Sequence, residues 1–165
     1  MKLVLAMLAF AAGSCGFRPL YEKTAFRDVS ARSAKIAIPP VAGYDGTHGV
    51  DLRNELAAKL TPRGRPENPA YVLRIKMAKP HIYGYTMKPD GTESSYMVRI
   101  SASYVLSGAD GGKVVMENSA SAQLSYNILK DQYSSEALKN NAIKLIVKDL
   151  ADQIYIAVIT ALAEG

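Results

Sequence analysis

Two alternating runs of unusual length, separated by a glycine-rich turn, constrain this chain most. From Tyr96 to Leu106 the apolar residues Tyr96, Val98, Ile100, Ala102, Tyr104 and Leu106 alternate with Met97, Arg99, Ser101, Ser103 and Val105. After Gly108 to Gly112 the pattern resumes, with Val114, Met116, Ala120, Ala122, Leu124 and Tyr126 set against Val115, Glu117, Ser119, Ser121, Gln123 and Ser125. A period of two over so many residues predicts two long antiparallel strands, each with one face toward a core and one polar face. At about 3.4 Å per residue such a strand is roughly 40 Å long. Something equally long must cover the apolar face.

The C-terminal segment supplies it. From about Ser135 to Leu162 the spacing becomes helical, with Ile143, Ile146, Val147, Leu150, Ile154, Ala157 and Val158 on one stripe and Lys144, Lys148 and Asp152 opposite. At about 1.5 Å per residue this helix is about 40 Å long. A second, shorter helix is predicted over Asp51 to Leu60, where Leu52, Leu56 and Leu60 share one face and Asp51 charges the start. The prolines of TPRGRPENP, residues 61–69, end it. Before it, KIAIPPV at residues 35–41 reads as a short edge strand stopped by Pro39 and Pro40. After it, residues 70–78 alternate, with Tyr71, Leu73, Ile75 and Met77 on one side. KPDGT at residues 88–92 has the residues of a tight turn and closes a hairpin.

The order is β-α-β-β-β-α. It predicts an α+β two-layer sandwich, a mainly antiparallel four-stranded sheet with both helices packed on one face. The 165 residues suffice for one such domain, and 48% hydrophobic with 21% charged residues is ordinary globular composition. Residues 35–165 form the expected domain.

The first 34 residues are of another kind. An apolar run from Leu3 to Gly13 follows a single Lys2 and is too short for the about 20 residues a membrane-spanning helix needs. A basic start, a short apolar stretch and small residues describe a secretory signal peptide, here residues 1–14. The residue after Gly13 and Ser14 is Cys15, the only cysteine. That arrangement resembles the bacterial lipobox, with Ala12 where Leu is usual, and makes Cys15 the expected lipidation site. Acylation with two or more chains gives stable anchoring, since each buried CH₂ contributes about 0.8 kcal/mol. Residues 15–34 then read as the lipidated cysteine and a tether. Gly16 in place of Asp at the position after the cysteine favours the outer membrane over inner-membrane retention.

Nothing in the composition supports catalysis. His48 and His81 are isolated, no second cysteine is present, and no glycine-rich phosphate loop or metal-ligand spacing occurs. No metal or other cofactor is expected, and the chain reads as a binding protein. Its formal net charge is +5, and residues 59–99 hold eight basic side chains against three acidic ones. A basic stretch suits any polyanion. An exported lipoprotein does not meet nucleic acid, whereas the phosphorylated lipid A of lipopolysaccharide lies in its compartment.

The heptad Cys-Gly-Phe-Arg-Pro-Leu-Tyr at 15–21, followed by the β, α, three long strands and α order, resembles the LPS-assembly lipoprotein LptE family in its alphaproteobacterial form. Tyr126, after the last strand, stands where that family tends to place a tyrosine. The resemblance implies a non-enzymatic, outer-membrane lipoprotein of lipopolysaccharide transport. Such a protein sits as a plug inside the large β-barrel LptD, assists its assembly, and contacts lipopolysaccharide. Lys88 in the KPDGT turn, Arg99 on the polar face and Lys130 after the last strand are the expected lipopolysaccharide-binding residues, since several cations meeting at one end suit phosphate. Two regions are expected to face the barrel. One is the serine face, Ser101, Ser103, Ser119 and Ser121, which lets a polar wall approach closely. The other is Tyr155, Ile156 and Ile159, which fall off the stripe of the final helix. The other reading left open is an auxiliary lipoprotein of an ABC-type lipid transport system.

Overall fold

The computed structural model describes residue 29 and residues 31–43, 47–87, 93–128 and 131–164. The signal segment, Cys15 and the heptad lie outside the described residues, as do the KPDGT turn with Lys88, and Lys130.

The chain enters through a short helical stretch at residues 31–33 and runs into β1 (Ile36–Ala37). It continues through α1 (Thr47–Leu60), β2 (Tyr71–Met77), β3 (His81–Met87), β4 (Glu93–Gly108), β5 (Val114–Asn127) and α2 (Gln132–Glu164). The fold is α+β with an open, mixed sheet. Among the described residues it has five named strands where four were expected, and β1 pairs with β2 in parallel. The additional strand, β3, has a physical cause. Pro80 has no N–H to donate, so the long run beside β4 is interrupted at residues 78–80, and β2 and β3 lie end to end along the same side of β4. Side by side, the sheet is therefore four strands wide: β1, then β2 with β3, then β4, then β5.

β1 is shorter than residues 35–41. Pro39 and Pro40 end it, and the chain touches the sheet again at Ala42, which bridges to Lys76 in parallel and exchanges bonds with Ile75 and Met77. Gly43 follows with φ of 99°, and a Cβ there would lie 2.6 Å from the Met77 carbonyl oxygen, so only glycine fits this return to the sheet.

The helices extend beyond their expected starts. α1 begins at Thr47, one turn before Asp51, and buries Gly49, Leu52, Leu56 and Leu60. α2 has 33 residues and is about 50 Å long. Asp131 caps it: its carboxylate accepts from the Ser134 amide at 2.8 Å and the Ser134 hydroxyl at 2.6 Å. These bonds, the hydroxyl's first, hold the Asp131 carboxyl below its ordinary pKa. Both helices cover one face of the sheet and share one core with it. Lys59 of α1 reaches Asp152 of α2 at 2.8 Å, and this bond raises the Lys59 pKa.

Along β4 the alternation holds, with Val98, Ile100, Ala102, Tyr104 and Leu106 all buried. Burial pushes the Tyr104 hydroxyl's pKa up. Along β5 only Ala120 and Ala122 are buried, because β5 is an edge strand and α2 packs over its middle. Small side chains there let the helix approach closely. Val114 and Leu124, expected on the core face, are exposed, and Ala157 of α2 is only half-buried. Among the described residues no helix is long and apolar enough to cross a membrane.

Candidate partner-facing surface

The face of the sheet away from the helices is built from the odd-numbered residues of β4 and β5. Register sets Ser101 opposite Ser121 and Ser103 opposite Ser119. All four are exposed, so the serines expected from the alternation form two facing pairs in the middle of the sheet. Polar contacts brace this face toward both ends. Arg99 donates from Nε and Nη2 to Gln123 Oε1 at 2.9 and 2.6 Å, holding the guanidinium flat across the strands. Ser95 donates to Asn127 Oδ1 at 2.9 Å, and Arg74 to the Ser107 hydroxyl at 3.2 Å. His81, opposite Arg99, lies beside Tyr83 with ring centroids 5.4 Å apart. Short side chains at the serine pairs give the middle of β4 and β5 little relief, with the longer Arg74, Lys76 and Glu117 around them. This surface can accept and donate hydrogen bonds over a wide area.

Of the three cations expected to meet at the hairpin end, Arg99 alone is described. The register brings Met87 opposite Glu93 and Ser95 opposite Asn127, so β3 and β5 end beside the start of β4. Lys88 follows Met87 directly and Lys130 follows Asn127 by three residues. Arg99 itself sits six residues into β4, about 20 Å along the strand from Glu93.

The candidates on α2 divide. Ile156 is 63% exposed and points away from the core. Tyr155 and Ile159 are half-buried, packed against the core, and line a cavity of about 450 Å³ with Leu60, Pro62 and Val29. Sequence reasoning missed Leu138 and Leu145, exposed at 36% and 51%. Spacings of seven and eleven put Leu138, Leu145 and Ile156 on one side of the helix, and that spacing was the available signal. Near the hairpin end Tyr126 stacks on Tyr96 at 5.9 Å, and burial raises its hydroxyl's pKa. Among the described residues no three His, Cys, Asp or Glu side chains group closely enough to hold a metal ion.

An open sheet with two helices on one face is a fold this chain shares with small bacterial lipoproteins of solved structure. A lipoprotein of Caulobacter crescentus CB15 superimposes with a TM-score of 0.64 at 18% identity, covering 83% of this chain and 97% of that one. A minor lipoprotein from Acinetobacter baumannii gives 0.57 at 22% identity, over 76% and 88% of the two chains. Rare lipoprotein B from Shewanella oneidensis gives 0.58 at 12% identity, over 76% and 93%. At these identities the likeness shows the fold. No curated protein matches the chain. The LptE family of lipopolysaccharide-assembly proteins matches it over residues 33–158, and the chain belongs to that family.

Proposed function

We propose that this protein is a lipid-anchored component of the lipopolysaccharide transport machinery at the outer membrane. It acts there without catalysis as the plug and assembly partner of an LptD-like β-barrel. The observation that carries the barrel partnership is the uncovered serine face, whose facing pairs Ser101 with Ser121 and Ser103 with Ser119 stay exposed in a domain that covers the opposite face fully at its middle. Barrel interiors are polar, and a hydroxyl surface flanked by the exposed charges of Lys76, Arg99 and Glu117 offers such a wall hydrogen-bond partners and ion-pair partners together. Ile156, with Leu145 and Leu138 about 16 and 27 Å further along the same side of α2, offers a second contact of apolar character. Membership of a lipopolysaccharide-assembly family supports the pathway, and the fold shared with several lipoproteins supports anchoring through Cys15.

Lipopolysaccharide is engaged at the hairpin end by Lys88 and Lys130, with Arg99 further along the open face. Tagged protein purified from outer membranes tests the partnership, since a large β-barrel must accompany it. Purification with a periplasmic transporter and no barrel would favour the ABC-type auxiliary role instead.

A further inference from the structure

Three cavities of about 310, 450 and 270 Å³ adjoin one another at the end of the domain where the described chain begins. Ala31 borders the first and the second, and Pro62 borders the second and the third. Among the described residues each is lined by two basic side chains and no acidic one. Arg32 and Lys35 line the first, Lys59 and Arg63 the second, and Arg53 and Arg65 the third. The floor between them is apolar, with Leu60, Tyr155 and Ile159 in the middle cavity.

The fold makes this grouping by bringing two short segments together. Residues 31–38 supply Arg32 and Lys35, and residues 53–66 supply the other four against Glu55, with Glu67 just beyond. Asp152 of α2 balances Lys59 at 2.8 Å. The remaining five keep their charge. Arg32 and Arg53 donate to the Leu162 and Ile38 carbonyls, both at 2.9 Å, which fixes the guanidiniums in place and leaves them cationic. Lys35, Arg63 and Arg65 are exposed and enter no ion pair among the described residues.

We infer that this end of the domain docks on a membrane surface bearing anionic phospholipids, with Lys35, Arg63 and Arg65 as its headgroup contacts. Charge complementarity is the first argument. Cations grouped without acids repel one another, and phosphate-bearing headgroups turn that repulsion into attraction. Each basic side chain at an anionic leaflet tightens attachment about fivefold. Reach is the second argument, and it selects a membrane over other polyanions. At most about 50 Å of chain separates Cys15 from Val29, and Val29 lines the middle cavity. Acyl chains on Cys15 therefore keep this end within that distance of the leaflet. The hairpin lies beside the start of α2, about 50 Å away along that helix. The argument from reach rests on the anchoring proposed for Cys15, and the argument from charge does not.

Flotation with lipid vesicles tests the inference on residues 16–165, which lack Cys15 and keep the whole core, since its buried members run from Ile36 to Leu162. Wild type should bind vesicles of mixed phosphatidylglycerol and phosphatidylcholine, should not bind phosphatidylcholine alone, and should bind less as ionic strength rises. Arg63→Glu with Arg65→Glu should lower the affinity about tenfold or more, and Arg63→Gln with Arg65→Gln should fall between. Both side chains are exposed, so the urea unfolding midpoint should stay at the wild-type value. Lys144→Glu with Lys148→Glu makes the same change of net charge on the middle of α2 and should bind within about twofold of wild type. Equal binding by the Arg63 and Arg65 variants and wild type would overturn the inference. So would an equal loss with the Lys144 and Lys148 variant, or equal binding to neutral vesicles. None of these results bears on the anchor, which has its own test in the membrane partition of full-length Cys15→Ala.

Discussion

β4 and β5 meet two different environments on their two faces. On the helix side Ile100, Ala102, Ala120 and Ala122 are shut under α2, where each apolar group removed from water stabilises the fold and little spare volume remains. On the other side Ser101, Ser103, Ser119 and Ser121, each one residue away in sequence, leave their side chains exposed and outside the core. The difference separates stability from recognition. Changes on the covered face should alter folding, and changes on the open face should alter partners while leaving folding nearly as it was.

The largest effect is expected in the core. Leu150→Ala removes a fully buried side chain of α2 and should cost about 2–5 kcal/mol in urea unfolding. A closer comparison sets Ala122→Leu against Ser121→Arg. The first forces three carbons into the α2 contact and should cost about 1–3 kcal/mol. The second, one residue along, should stay within about 0.5 kcal/mol of wild type. Equal losses for both would mean that the open face is structural, and the comparison would fail.

Charge sharpens it next. Lys88→Asp with Arg99→Asp should weaken lipopolysaccharide binding several-fold at low salt, with the gap narrowing as ionic strength rises. Stability should change little, because Arg99 is exposed and, among the described residues, its side chain bonds Gln123. Equal binding by both proteins would remove these two residues from the site.

The smallest effect belongs to the cap of α2. With its folded pKa below that of the unfolded chain, Asp131 contributes stability above the ordinary carboxylate pKa and loses it as pH falls through the lowered value. Carboxyl titration by NMR should show a midpoint below the usual aspartate range, returning toward it in Ser134→Ala. No change on that substitution would assign the shift elsewhere.

Much of this arrangement was legible in the residues because period is a direct record of which face is covered. From Val98 to Leu106 the β4 alternation, like the Leu52, Leu56, Leu60 spacing, translates into a buried face, while Tyr96 at the start of β4 is half-buried. What the period could not record was extent. β5 alternates like β4, yet only Ala120 and Ala122 are buried, since coverage depends on where a helix crosses an edge strand. Pro80 was visible, but its consequence, a strand resuming along the same side of β4, is a property of pairing between segments. On α2, Tyr155 and Ile159 fall off the main stripe and still pack against the core, because α1 lies beside the helix and widens its buried arc, as the Lys59–Asp152 bond shows. Ile156, on the other side of the helix, is left outward. The serine pairs were evident as a face, and only register could set them opposite one another.

The most direct test of the division between the two faces is affinity purification from outer membranes of the lipoprotein carrying Ser119→Arg and Ser121→Arg, beside wild type. Two long cations there would hold a polar wall away without touching the core. A large β-barrel should accompany the wild-type protein and be lost or strongly depleted with the double variant, whose urea unfolding midpoint should match wild type. Equal recovery of the barrel with both proteins, or no barrel with either, would contradict the account.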